Sequence, residues 1–223
     1  FIFRAQGPME YRAAIKHLRK SEYSDAVDVM TALIKAEPDR ANHYRFRAEI
    51  LRLWGKLDRA RRDYEKMVKI DPDSAVAYNG LAEVNLQAGN YANAHNAAEK
   101  AFELAPNEWV ASYNLGMIED RLGEAESAIM HLNHALTQKI PDVRHRVLIQ
   151  FYLARAYSRV DDIESAQKAI AAIKKNAGGI EEWQVILESP QATTLRAVIA
   201  EDIEMAEALA NDNLDISALA GTA

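Results

Sequence analysis

A 34-residue internal period constrains the fold of this chain more than any other feature of its sequence. Three residue types recur in one phase. They are Pro38, Pro72 and Pro106; Gly55, Gly89 and Gly123; and Ala26, Ala60, Ala94 and Ala128. A further member, Ala166, follows Ala128 after 38 residues, which indicates an insertion of four residues. A fixed period of this length is typical of proteins in which small repeated units stack side by side.

Each unit has the pattern of two helices joined by a tight turn. In the third unit, apolar and small residues follow one helical spacing before Gly89 and a second helical spacing after it. They are Tyr78, Leu81, Ala82 and Asn85, and then Tyr91, Ala94, Ala98, Ala101 and Leu104. Pro106 ends the unit, because the residue before a proline disfavours helix. The repeated unit is therefore predicted to be a helical hairpin.

This pattern resembles the tetratricopeptide repeat, which has an early aromatic residue, a Leu-Gly or Leu-Ala pair, a turn glycine, an alanine in the second helix and a terminal proline. The residues that carry the resemblance are Tyr44, Ala48, Gly55, Ala60, Tyr64 and Pro72; Tyr78, Leu81, Ala82, Gly89, Ala94, Ala101 and Pro106; Leu115, Gly116, Gly123, Ala128 and Ala135; and Leu153, Ala154, Tyr157, Ala166 and Ile173. The resemblance implies an all-α fold, a right-handed α-solenoid of about five hairpins.

The units are predicted at about residues 9–38, 41–72, 75–106, 109–140 and 147–176. Ser21 and Asp161 stand where the other units have the turn glycine. Residues 139–146 hold the insertion, for which a longer loop, an extended helix start or a partner-contact loop remain open. Residues 180–210 are expected to be capping helices and 211–223 a tail. Residues 1–8 are expected to be an expression scar or an N-terminal tail.

Composition limits the classes of function. The chain has 33 acidic and 27 basic residues and a net charge of -6, which argues against a protein that coats nucleic acid. Cysteine is absent, which excludes disulfides and thiolate chemistry. No stretch of 18 apolar residues predicts a membrane span. We expect a cytoplasmic location; a periplasmic or membrane-associated one applies if a longer N-terminus was removed.

No pattern in the sequence indicates an enzyme. Phosphate-binding loops, nucleophile elbows and zinc-protease helices are missing, so we expect no catalytic residue and no cofactor. His131 and His134 share one helix face but lack a nearby third ligand in the sequence. We expect both on an exposed convex surface and predict no metal site.

The resemblance implies a concave face, formed by the first helix of each unit, that binds a peptide or protein segment. The predicted partner-binding residues are Arg12, Arg45, Phe46, Arg52, Asn79, Tyr113, Asn114, Arg121, Tyr152, Arg155 and Arg159. Arginines select carboxylates, and amides can bond a peptide backbone, so the expected partner is an acidic segment. The family's clamp for a chaperone C-terminal carboxylate is not reproduced in any three consecutive units. The predicted function is a non-enzymatic scaffold or adaptor.

Two alternatives remain open at this stage. Residues 180–223 contain nine acidic side chains and one basic side chain, so an acidic C-terminal helix could occupy the groove of its own chain or of a neighbour. The protein would then be a component of an assembly or secretion complex that self-associates as a homo-oligomer. The second unit is locally basic and could contact nucleic acid, although the acidic chain as a whole makes us expect no nucleic-acid partner.

Overall fold

The computed structural model describes residues 9–221, so the expected scar or tail at 1–8 lies outside the described residues. Ten helices form five antiparallel hairpins. The pairs are α1 Arg12–Arg19 and α2 Tyr23–Ala36; α3 Ala41–Leu53 and α4 Leu57–Ile70; α5 Ala75–Gln87 and α6 Tyr91–Leu104; α7 Trp109–Leu122 and α8 Ala125–Thr137; α9 Val143–Arg159 and α10 Ile163–Lys175. Within residues 9–221 the regular structure is entirely helical, so the predicted all-α solenoid is confirmed.

The turn inside each hairpin requires a left-handed backbone conformation. Gly55, Gly89 and Gly123 have φ angles of 75°, 73° and 79°. Ser21 and Asp161 occupy the same turn position and both have φ of 60°. Glycine reaches this region without a steric penalty, whereas other residues are strained there. The turn geometry is therefore the same in all five hairpins, including the two that lack glycine.

Small residues allow neighbouring helices to approach closely. Ala82 and Ala94 are fully buried where α5 packs against α6. At Gly80 a Cβ atom would lie 2.2 Å from the ring of Tyr64, so this side chain of α4 rests directly on the backbone of α5. Such contacts join the hairpins into two apolar cores, one in the first hairpins and one in the later hairpins and C-terminal helices, and Leu81 of α5 packs against both.

The four inserted residues are used to lengthen α9, which has 17 residues where the other hairpin helices have at most 14. Asp142 caps the new N-terminus, because its Oδ1 accepts a hydrogen bond of 3.1 Å from the backbone N–H of His145. The extra turn also provides a docking point for the C-terminal region, since Trp183 Nε1 donates to the carbonyl of Arg144 at 3.0 Å.

Three helices follow the hairpins: α11 Gly178–Glu188, α12 Thr193–Ala210 and α13 Ile216–Leu219. Helices α11 and α13 pack on α9, at the end of the solenoid. In contrast, α12 contacts α9 and α10 and also reaches α5 and α3. The residues expected to be a cap therefore also extend across the inner face of the solenoid. Within residues 9–221 no helix has both the length and the hydropathy that crossing a membrane would require.

Candidate functional site

A cavity of about 1020 Å³ lies between the first helices of the hairpins and the C-terminal helices. Helices α1, α3, α5 and α7 each contribute side chains to its wall, while α11 and α12 form the opposite side. Pockets that bind ligands in proteins commonly measure about 300–1000 Å³. The concave face is therefore partly enclosed rather than an open groove.

Most of the cavity wall is apolar. Leu86 and Met117 line it from the hairpins, and Trp183, Leu195 and Val198 line it from the C-terminal helices. An apolar wall favours side chains of the same kind, because removing apolar surface from water is the main source of binding free energy.

Three polar pairs interrupt this wall. Arg45 Nε donates to Glu49 Oε1 at 3.0 Å, and Arg52 Nη2 lies 3.0 Å from Glu83 Oε2. The third pair joins two neighbouring hairpins, because Asn114 Nδ2 donates to Asn79 Oδ1 at 3.2 Å.

Two features of these polar groups bear on ligand binding. Burial raises the pKa of Glu49, and the positive charge of Arg45 opposes that rise. The Nε of Arg52 and the Oε1 of Gln87 are buried and make no hydrogen bond within the described residues. Both side chains line the cavity, so the wall contains polar atoms whose hydrogen-bonding capacity is not used within the described residues.

The structure brings five of the predicted partner-binding residues together in the cavity wall. They are Arg45, Arg52, Asn79, Tyr113 and Asn114. Burial raises the pKa of Tyr113 well above its ordinary value, so its hydroxyl stays protonated. This set comes from three consecutive hairpins, as the repeat frame predicts.

Four other predicted residues contact the chain's own carboxylates instead. Arg155 pairs with Asp120 through Nε, at 3.0 Å from Oδ2, and through Nη2. Arg159 Nη1 donates to Asp120 Oδ1 at 2.9 Å. We call Asp120, Asp202, Arg121, Tyr152, Arg155 and Arg159 the buried ion cluster.

Helix α12 enters this cluster through Asp202. Its Oδ2 accepts hydrogen bonds from Arg121 Nη2 at 2.5 Å and from the Tyr152 hydroxyl at 2.8 Å. Its Oδ1 lies 3.4 Å from Arg155 Nη1. Burial raises the pKa of Tyr152, and the nearby charge of Asp202 raises it further. The positive charge expected on this part of the inner face is therefore largely balanced within the chain.

The remaining two predicted residues lie elsewhere. Phe46 is buried against Tyr11, with ring centroids 4.6 Å apart, and belongs to the core of the first two hairpins. Arg12 is exposed and does not line the cavity among the described residues. The sequence also missed the contribution of Trp183, Leu195 and Val198. All three lie in residues 180–210, which we expected only to cap the solenoid; Leu195 and Val198 belong to an apolar helical stripe, a pattern that does not distinguish a packing face from a cavity wall.

Much of the basic charge in the second hairpin is paired. Arg47 makes a two-point contact with Asp63, at 2.8 and 2.6 Å, and Arg61 Nη2 lies 2.8 Å from Asp58 Oδ1. Arg40, Arg45 and Arg52 also pair with carboxylates. A phosphate backbone would have to compete with these internal partners.

The expectation that His131 lies on an exposed surface is wrong. Its side chain is buried, its Nδ1 lies 2.7 Å from Glu119 Oε2, and its ring meets Phe102 edge-on at 5.0 Å. The preceding hairpin covers this face of α8, which the spacing along one helix cannot reveal. His134 is partly exposed and hydrogen-bonds Ser112 Oγ at 3.0 Å.

The fold and the cavity define a helical repeat protein with an enclosed inner groove. The family model for the tetratricopeptide repeat matches residues 11–75 and 77–142, more than half of the chain. The chain therefore belongs to the tetratricopeptide repeat family. No curated protein sequence matches it.

Solved structures share this fold at low sequence identity. MamA 41-end from Desulfovibrio magneticus RS-1 is 20% identical, with a TM-score of 0.60, over 80% of this chain and 96% of that one. YrrB, described as a TPR protein with an unusual peptide-binding site, is 22% identical, with a TM-score of 0.58, over 82% of this chain and 96% of that one. A chain of the APC/C hetero-tetramer Cut9-Hcn1 is 17% identical, with a TM-score of 0.64, over 92% of this chain and 42% of that one.

Proposed function

We propose that this protein is a non-enzymatic scaffold or adaptor that binds a segment of another protein in the cavity. The observation that carries the proposal is the cavity itself, because it has an apolar wall, paired polar groups and room for several side chains. Scaffolding is the general role of tetratricopeptide proteins, and the similarity to YrrB, a protein with a peptide-binding site, supports it.

The partner segment is proposed to be amphipathic, with apolar side chains in the cavity and carboxylates at its rim. Arg45 lines the cavity, and its side chain is 46% exposed, so a partner carboxylate can reach it. Arg19 is also exposed at the wall. The acidic preference rests on these two cations, since Arg121 and Arg155 are engaged by Asp120 and Asp202.

Matched pairs of substitutions test this proposal. Val76 lines the cavity and is 47% exposed, whereas Val185 is 70% exposed and lies outside the wall. Val76→Glu is expected to abolish capture of the partner from a native extract, and Val185→Glu to leave capture unchanged. Both side chains are already in contact with water, so neither change is expected to unfold the chain.

A second pair tests the role of charge. Arg45→Glu removes a cation at the cavity, and Arg12→Glu makes the same change at an exposed site outside it. An acidic partner should be lost with Arg45→Glu and kept with Arg12→Glu. Equal capture by all four variants would show that the cavity is not the binding site. Loss with Val76→Glu alone would keep the cavity but contradict the acidic preference.

Self-association through the acidic C-terminal helix is the second candidate function. It is favoured by one observation, that Asp202 of α12 binds Arg121, Arg155 and Tyr152 on the inner face. The same contacts would form between two chains if α12 were exchanged. Sedimentation velocity over a hundredfold range of concentration tests this candidate, and a monomer throughout would eliminate it.

A further inference from the structure

Glu119 differs from the other buried carboxylates of the described chain in the partners that surround it. These carboxylates are Glu49, Asp63, Glu119, Asp120 and Asp202, each at most 6% exposed. Four of them pair with an arginine. Within the described residues, Glu119 pairs only with histidines. An imidazole carries charge only when it is protonated, so the balance of charge at Glu119 differs from that at the other four.

The side chains around Glu119 come from α6, from α8 and from the turn between α7 and α8. His95 of α6 places Nε2 at 3.8 Å from Glu119 Oε1 and 4.0 Å from Glu124 Oε2. The ligand atoms of His95, Glu119 and Glu124 all lie within 4.8 Å of one another. On the other side, Nδ1 of His131 in α8 forms a hydrogen bond of 2.7 Å with Glu119 Oε2. Phe102 packs edge-on against the His131 ring and fixes its position.

We propose that His95, Glu119 and Glu124 bind one divalent transition-metal ion, with Zn²⁺ as the representative ion, and that His131 is a positioning residue for Glu119. Imidazole nitrogen and carboxylate oxygen are the donors that Zn²⁺ takes in sites without cysteine. Carboxylates that bind a metal are commonly held by a further hydrogen bond, and His131 supplies this contact to the second oxygen of Glu119. Three protein ligands leave a fourth position for water or for a side chain of a bound protein.

The distances are close to those that a metal ion needs. Bonds of about 2.0–2.2 Å in a tetrahedral site place the donor atoms roughly 3.3–3.6 Å apart. The separations of 3.8 and 4.0 Å from His95 Nε2 therefore require shifts of about half an ångström, and the two carboxylate oxygens, which lie within 4.8 Å of each other, must approach by up to about 1.5 Å. The side chains of His95 and Glu124 are 25% and 52% exposed, so they can rotate to this extent. Glu119 provides the fixed, buried side of the site.

Zinc titration of the full chain, without an affinity tag and after treatment with a chelator, tests the proposal. Isothermal calorimetry is expected to show one equivalent of bound Zn²⁺. His95→Asn and Glu124→Gln are each expected to weaken binding more than tenfold, and His131→Asn to weaken it about tenfold. Thermal unfolding without zinc shows whether each variant is folded. In the wild type the midpoint should rise with zinc, because the ion binds the native state.

A second cluster in the same chain provides the matched control. His17, Glu22 and Asp25 also bring three ligand atoms within 4.8 Å, but all three side chains are at least partly exposed and none comes from the fourth hairpin. His17→Asn should leave the zinc affinity unchanged. Two results would overturn the proposal: no saturable binding by the wild type, or binding that survives His95→Asn. Loss of binding with His17→Asn alone would place the ion at the other cluster and would also overturn it.

Discussion

Replacing Asp202 with alanine is the sharpest test of how α12 is held on the inner face. The change removes the carboxylate that binds Arg121 at 2.5 Å, Tyr152 at 2.8 Å and Arg155 at 3.4 Å. Loss of one partner from a buried ion pair costs about 3–5 kcal/mol, because it leaves an uncompensated charge. The expected effect is therefore on the docking of α12, not on the hairpins themselves.

The contacts that remain after Asp202→Ala place its expected cost at the lower end of that range. Arg155 keeps its pair with Asp120, and Arg121 Nη2 still donates to the carbonyl of Val198 at 2.7 Å. Arg121 loses the carboxylate of Asp202 but keeps this carbonyl as an acceptor, and the buried Tyr152 hydroxyl loses the acceptor that Asp202 provides. We expect Asp202→Ala to reduce the free energy of docking of α12 by about 3 kcal/mol.

Amide hydrogen exchange measures this docking directly. A loss of about 3 kcal/mol should lower protection in α12 roughly a hundredfold, since each 1.4 kcal/mol is a factor of ten. Amides in α2 and α6 should change much less, because neither helix packs extensively against α12 and repeat proteins transmit stability mainly between neighbouring units. Glu204→Ala is the matched control: it removes the same charge from an exposed position of α12 and should cost less than about 0.5 kcal/mol. Equal exchange in the two variants would refute the reasoning.

Three further predictions follow from local geometry. Gly80→Ala should destabilise the chain by about 1–3 kcal/mol in urea unfolding, because its Cβ would lie 2.2 Å from the Tyr64 ring; a cost below 0.5 kcal/mol would contradict this. Asp161→Gly should stabilise it by about 0.5 kcal/mol by relieving a φ of 60°, and any loss of stability would count against strain there. Burial lowers the pKa of His145 although Asp142 acts to raise it, so the unfolded chain binds this proton more readily. Stability should therefore fall as the pH drops below about 6.5, and His145→Asn should make the urea midpoint less dependent on pH between 7.5 and 5.5.

The repeat could be predicted from the sequence because every unit needs a left-handed turn and small residues where its helices pack. The left-handed turn demands glycine or a tolerated substitute, so Ser21 and Asp161 could be placed in phase even though they break the pattern. Close helix packing demands small residues at positions such as Ala82 and Ala94. The insertion before the fifth unit was detected by its length, but its conversion into an extra turn of α9 depends on capping by Asp142 and on packing with Trp183.

The site could be predicted only where it depends on the repeat frame. Asn79 and Asn114 lie 35 residues apart on the first helices of consecutive units, one position out of register with the 34-residue period, and the structure joins them by a hydrogen bond. By contrast, Arg155 meets Asp120 and Asp202, which lie 35 and 47 residues away in the chain. A charge count along the first helices includes Asp120, which lies on α7, but it cannot include Asp202, because Asp202 lies on α12, outside the repeats. The position of α12 therefore decides which arginines remain available.

The same position of α12 separates two ways in which a partner could bind. A segment that fits in the cavity beside α12 uses Leu195 and Val198 as part of its wall, so Asp202→Ala should weaken its binding or leave it unchanged. A segment that replaces α12 must first break the contacts of Asp202, so the same change should tighten its binding by up to about a hundredfold, the equivalent of roughly 3 kcal/mol. Titration of the captured partner against the wild type and Asp202→Ala measures the direction. Because the cavity already exists with α12 in place, we expect the first outcome, and tighter binding by Asp202→Ala would identify α12 as a displaceable occupant of the groove.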